Sequence, residues 1–281
     1  MEGRVTRVVV RILSIFVLFF LYAPLFIVVI YAFNKATDQA WPPELWSTRW
    51  FGTAWADPEV RTALLNSVLA ALGASAIALV LGSLAAFAVH RFRFFGRESL
   101  SFILVLPIAL PGIVTALALS SGMDYAQRSF GLEFGLTTII IGHATFCVVV
   151  VYNNVVARLR RTPTSLVEAS MDLGADGWQT FRYVTFPSIR TALVAGGLLA
   201  FGLSFDEIVV TNFTAGTTLT LPVWIFNHIR LPTDQPVVNV VAMAVMLLSL
   251  IPVFFAQRLA GATDLATTGT KGVKIEEAGP G

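Results

Sequence analysis

Glu168-Ala169-Ser170-Met171-Asp172-Leu173-Gly174 is a polar stretch set between the fourth and fifth long apolar runs of this chain, and it continues to Phe186-Pro187 before the fifth begins. Ser165 stands three residues before Glu168, the spacing of a capping box, in which a hydroxyl and a carboxylate satisfy backbone amides at a helix start. Gly174 sits where a left-handed helix end is wanted. Asp176 and Gln179 repeat the capping spacing and open a second short helix through Tyr183. The two read as a compact helical knuckle, stiffly joined to a membrane helix. Two capped helices have no structural use between spans unless something outside the bilayer grips them. Helix-in-groove docking is a recurring way to do so.

Around that segment the chain is built for lipid. Of its 281 residues 56% are hydrophobic and only 13% charged, against about 25% charged in soluble domains; mean hydropathy is +0.76. Six stretches reach the ~20 apolar residues needed to cross the hydrocarbon core: Val8–Phe33, Leu64–His90, Leu100–Met123, Leu136–Val156, Ile189–Phe213 and Val238–Gln257. Lipid offers backbone groups no partner, so each is expected to be helical, the valine run 148–151 included. Prolines 24, 107, 111 and 252 are expected to kink these helices rather than end them. The first run is too long for a signal h-region and is read as a retained span. The fold class is therefore all-α, a polytopic membrane protein with six transmembrane helices.

Charge placement sets the orientation. With the N-terminus inside, 14 of the 19 Lys and Arg fall on the cytoplasmic side, including Arg91, Arg93, Arg97, Arg158, Arg160 and Arg161. Such a bias predicts both termini and the Glu168 segment in the cytoplasm of a cell-membrane protein. The outer segments carry more acidic than basic residues, which reads either as plain positive-inside asymmetry or as a mouth that favours cations. Trp41, Trp46, Trp50 and Trp55 follow the first span and suit an interfacial belt. The net charge of +2 comes without a basic block, which argues against nucleic acid. The single cysteine, Cys147, is expected to be a packing residue.

The knuckle carries a resemblance. Glu-Ala-Ala, three residues, Gly, nine residues, Ile-x-Leu-Pro marks permease subunits of type I ABC importers. This chain has Glu168-Ala169-Ser170, Gly174 and Val184-x-Phe186-Pro187 at that spacing. From about residue 8 to 258 it is similar to the second permease of spermidine/putrescine-type importers. Ala23-Pro24-Leu25, His90-Arg91-Phe92-Arg93-Phe94, His143-Ala144-Thr145-Phe146, Ser204-Phe205-Asp206-Glu207 and Leu221-Pro222-Val223-Trp224 carry the likeness. The resemblance implies the ABC type-1 permease fold: tail, first span and outer loop over 1–60, the transmembrane domain over 61–257 and a disordered cytoplasmic tail over 258–281. It makes 164–183 the coupling helix. Glu168, Ala169, Ser170, Asp172, Gly174 and Pro187 then belong to the contact with an ATPase. It further implies a pair of ATPase subunits holding ATP and Mg, a second homologous permease and an extracytoplasmic substrate-binding protein.

No chemistry is expected of the chain itself. Gly-Lys, which a phosphate-cradling P-loop requires, occurs nowhere in it, and neither a cofactor nor a metal is expected. For the cargo path the best candidates are Asp206 and Glu207, ~28–30 Å above Pro187 at ~1.5 Å per residue. Charged residues in spans normally face a cavity or a partner. Trp224 and Asn227 offer a cation–π or polar lining, and Asp124 closes the third span as a helix-end cap or a ligand. A small cationic organic solute, a polyamine foremost, is the expected cargo. Gly112, however, follows Pro111 where such permeases often carry an acid, which leaves opines, aminoethylphosphonate or another small solute open. Two other classes stand further off. One is an intramembrane serine protease built on Gly202-Leu203-Ser204 with His90 or His143 as base. The other is an ion-coupled secondary transporter, which usually shows repeated halves.

Overall fold

The computed structural model describes residues 4–37, 39–43, 46–231 and 233–268. Among the described residues every regular element is helical, and the single extended pairing is a bridge between Asn34 and Trp46. In chain order, α1 (Arg4–Ala32), α2 (Arg49–Ala56) and α3 (Pro58–Arg91) lead to α4 (Arg97–Ala109), α5 (Gly112–Phe130) and α6 (Leu136–Arg161). Then follow α7 (Thr164–Asp172), α8 (Gly177–Thr180), α9 (Phe186–Phe205), α10 (Val209–Thr214), α11 (Leu221–His228) and α12 (Gln235–Thr268). Among the described residues five helical stretches are long and apolar enough to cross a bilayer: Thr6–Ala32, Pro58–Arg91, Leu136–Arg161, Gly177–Phe205 and Gln235–Arg258. The tail expected to be disordered from residue 258 is instead helical as far as Thr268, where α12 ends, and the rest of it lies outside the described residues.

Two of the six expected spans are not single helices. The third is α4 and α5, which meet at a 107° bend. Pro111 donates no N–H, and its ring drives the preceding residue out of the helical region. Accordingly Leu110 is extended (φ −83°, ψ 149°) and Pro111 caps the new helix. So Pro111 ends a helix, whereas Pro24, Pro107 and Pro252 lie inside continuous ones. The expected fifth span to Phe213 stops at Phe205. There Glu207 turns its carboxylate to the Val210 amide (3.0 Å) while its carbonyl accepts from Thr211 Oγ1 (2.8 Å). Such local bonds compete with the helical ladder and start α10 as a separate turn.

The chain forms two compact units. The first draws on the residues up to Asn66 and on Leu219–Leu248. Most of α1 is exposed apolar surface. Trp50 Nε1 donates to the Asn34 carbonyl (2.9 Å) and Asn66 Nδ2 to that of Leu219 (2.9 Å), which ties the loops of this unit down.

The second unit, Ser67–Thr218 and the residues from Ser249 on, centres on α6. This helix packs against α9 and also meets α4 and α10. On α3, Ala70, Ala74, Ala78, Gly82 and Ala86 recur every fourth position, and the four alanines are fully buried. Small residues at that interval let helix backbones approach closely in lipid. A Cβ on Gly82 would lie 2.8 Å from the carbonyl oxygen of Val148, so only glycine fits.

Candidate functional site

The knuckle starts two residues earlier than its capping-box spacing suggests. Pro163 enters extended (ψ 133°) and α7 begins at Thr164 without a side-chain cap. Ser165 is therefore already helical, and the expected Ser165–Glu168 capping box does not form. At the other end Gly174 adopts φ +85°, and two bonds close a Schellman motif. They run from the Gly174 amide to the Met171 carbonyl (2.9 Å) and from the Ala175 amide to that of Ser170 (3.1 Å). The second expected box is present: Asp176 Oδ1 accepts from the Gln179 amide (2.7 Å), and Gln179 Oε1 from the Asp176 amide (2.9 Å). A hydroxyl pair, Ser170 Oγ and Thr180 Oγ1 at 3.0 Å, bonds the two short helices together.

The expected end of the second helix at Tyr183 is not an end. From Thr180 the chain widens into a π-helical turn, Phe181–Thr185, and passes directly into α9. Pro187 has no N–H for the Tyr183 carbonyl, and a turn one residue wider absorbs that loss without breaking the helix. Gly177–Phe205 is thus one 29-residue stretch running from the knuckle through a span. Phe181 anchors its base, edge-on to Phe87 (5.6 Å) and stacked with Trp178 (5.6 Å).

The knuckle's other face is bare. Leu173 is 89% exposed, and Leu166, Trp178 and Tyr183 are each more than half exposed. Glu168, Ala169, Asp172, Gly174 and Pro187 share that exposure, while Ser170 is half-buried. Behind α7 lies a cavity of about 540 Å³, lined by Phe87, His90, Leu159, Val167, Glu168 and Met171 among others.

Farther along α9 the expected pathway residues separate. Asp206 is exposed, just past the last residue of the span. Desolvation by the surrounding apolar mass holds its carboxyl above the usual carboxylate range. Its neighbour Glu207 is half-buried and engaged at the start of α10. Asp124 is exposed within α5, which runs on to Phe130, so it is a mid-helix residue and not the cap that was expected. In the first unit Trp224 is buried, donating Nε1–H to Glu59 Oε2 (3.0 Å) and stacking on His228 (4.2 Å). Asn227 on the same helix is exposed.

His143 lies deep in the second unit. It is buried, with Nδ1 2.7 Å from Ser204 Oγ and Nε2 2.9 Å from Thr211 Oγ1. One imidazole thus joins α6 to the end of α9 and to α10. The Ser–His contact has the spacing of a nucleophile and its base, but serine, histidine and threonine are all sealed from solvent. Among the described residues both ring nitrogens are bonded to hydroxyls and neither to a carboxylate. Interhelical polar bonds of this type hold spans together.

A bundle of spans with an exposed helical knuckle fused to one of them is the architecture of an importer's permease subunit, and the chain belongs to the binding-protein-dependent transport system inner membrane component family, whose model matches residues 78–263. Among curated proteins it is similar to the putrescine transport system permease protein PotI of Escherichia coli (strain K12). The two are 35% identical over 232 residues, 81% of this chain and 82% of PotI. The spermidine/putrescine transport system permease protein PotC of Haemophilus influenzae is 31% identical over 240 residues, 85% of this chain and 91% of PotC.

Among solved structures, a chain of a bacterial ABC transporter that imports the acidic polysaccharide alginate superposes with a TM-score of 0.67 at 18% identity, covering 93% of this chain and 98% of that one. The same kind of transporter bound to an alginate-loaded periplasmic protein gives 0.69 at 15% identity, covering 90% and 93%. At such identities the likeness speaks for the fold.

Proposed function

We propose that this chain is one of two permease subunits of an ATP-driven importer of small organic cations, polyamines such as putrescine and spermidine foremost. The observation that carries the reading is the unbroken stretch from Gly177 to Phe205, which links an exposed apolar knuckle to a membrane span. A partner that closes on Leu173 and Trp178 turns α9 with it. Glu168, Ala169, Ser170, Asp172 and Gly174 form the rest of that contact, and Pro187 sets the turn where force enters the span. The names of the PotI and PotC relatives support the cargo class.

In this reading the chain catalyses nothing itself. A pair of ATPase subunits, with ATP and Mg, supplies the energy from the cytoplasm, where both termini also lie; the arginine bias supports that orientation. A second, homologous permease completes the path, and an extracytoplasmic binding protein delivers cargo, as the alginate importer's complex with its periplasmic protein suggests. Asp206 is the favoured cation-facing group, with Asp124 and Asn227 as further exposed polar positions; Trp224 and Glu207 act by holding the helices that present them.

Gly112 favours a second reading, a cargo of different charge. A Cβ there would meet no atom within 4 Å, so the missing acid is a choice of chemistry and not of space. Uptake of labelled putrescine into vesicles holding the assembled transporter decides between them. ATP-dependent, vanadate-sensitive uptake supports the proposal, and none with putrescine or spermidine but uptake of another solute moves the cargo. Uptake by this chain without an ATPase sinks the importer reading.

A further inference from the structure

Between α3 and α4 the chain reads Arg91-Phe92-Arg93-Phe94-Phe95-Gly96-Arg97. The segment leaves α3 at the end of a membrane span and turns tightly, the Arg97 amide bonding the Phe94 carbonyl (3.3 Å) with Gly96 at φ +87°. That turn puts Phe95 at the tip, fully exposed, with Phe92 59% and Phe94 41% exposed beside it. Arginines alternate with these rings. Among the described residues, no carboxylate forms an ion pair with Arg91, Arg93 or Arg97.

Three bare phenylalanines beside unneutralised arginines, at the mouth of a span, make a poor surface for water. They make a good one for the boundary between acyl chains and anionic headgroups, where rings enter the apolar layer and guanidiniums meet phosphate. We infer that the Arg91–Arg97 turn is a docking site for acidic phospholipid in the cytoplasmic leaflet. Its place gives the contact a consequence. His90 and Arg91 line the same 540 Å³ cavity as Val167, Glu168 and Met171 of the knuckle. Lipid held by the turn braces the wall against which the knuckle moves, so transport depends on acidic lipid. The inference rests on the orientation given under the proposed function.

The whole transporter is reconstituted in nanodiscs of phosphatidylcholine alone or mixed with phosphatidylglycerol, and ATP hydrolysis is followed. The native complex is expected to be activated several-fold by phosphatidylglycerol. In Arg91→Gln/Arg93→Gln/Arg97→Gln that activation is lost, while the Arg→Lys triple variant keeps it. Independently, a bimane at Phe95→Cys, in a Cys147→Ser background, is quenched by brominated phosphatidylglycerol. Absence of quenching overturns the inference. So does undiminished lipid dependence in the glutamine variant, and so does equal loss of activity in both lipids with loss of the ATPase, which would make the turn a protein contact. A membrane-impermeant thiol reagent on Lys35→Cys in sealed, right-side-out vesicles reads the topology separately. Failure to label it there refutes the orientation and not the lipid contact.

Discussion

The two ends of α9 meet the same difficulty, an interrupted hydrogen-bond ladder, and resolve it in opposite ways. At the knuckle a proline interrupts the ladder, yet the helix continues through a π-helical turn and carries its axis into α8. At Asp206 no proline intervenes, yet the helix stops and His143 pins the break to α6 from two sides. In the proposed function the first end transmits motion and the second holds position. The contrast shows that residue type alone does not decide where a span ends. What decides is whether neighbouring polar groups offer the freed backbone a better partner.

The strongest way to break this comparison is at the transmitting end. Leu173→Asp places a charge on exposed apolar surface, so the isolated chain keeps its thermal midpoint. Uptake is expected to fall about thirtyfold, the scale of ~2 kcal/mol lost at an interface hot spot, and co-purification of the ATPase shows whether docking is the cause. Retained uptake would mean the knuckle grips nothing. Next, Pro187→Ala restores an N–H for the Tyr183 carbonyl and lets the wide turn relax. Because one residue of an α-helix subtends ~100°, the knuckle then faces elsewhere, and uptake drops several-fold with folding intact. An unchanged rate would remove the transmitting role from the turn.

At the holding end, His143→Leu leaves the hydroxyl of Ser204 buried and unpaired, while Thr211 keeps its bond to the Glu207 carbonyl. The expected loss is about 1–3 kcal/mol, read as a lower thermal midpoint of the detergent-solubilised chain. Ser204→Ala alone costs less, and equal losses would show that the imidazole is not the hub. The smallest effect separates two adjacent carboxylates. Asp206→Asn is expected to slow cation uptake a few-fold. The raised pKa of Asp206 means that its charge, and the attraction it exerts, is present above that pKa and lost as pH falls through it. The native rate should therefore fall on acidification and the variant's should not. Glu207→Gln keeps an oxygen for the Val210 amide and should leave the pH profile alone.

Much of the fold was legible because hydrophobic length is a strong, local property: five of the six expected runs contain a span and the valine run is helical. The Pro111 break and the stop at Phe205 were not. Pro107 and Pro111 look alike in sequence, and only Pro111 pushes its neighbour into the extended region. The stop depends on Glu207 reaching an amide three residues on. In the knuckle, Gly174 and the Asp176–Gln179 pair were readable since each works within a single turn. Ser165 misled because Pro163 already starts the helix. The triad of His143, Ser204 and Thr211 brings together positions 61 and 68 residues apart, beyond the reach of any spacing rule.

The alanine and glycine row on α3 limits what movement this protein can make. With Gly82 against the carbonyl of Val148 and no atoms to spare at Ala74, Ala78 and Ala86, α3 cannot roll over α6 without collision. A gate opened by this unit would therefore displace both helices as one slab, and a cysteine cross-link between Ala78 and the facing stretch of α6 should leave turnover untouched.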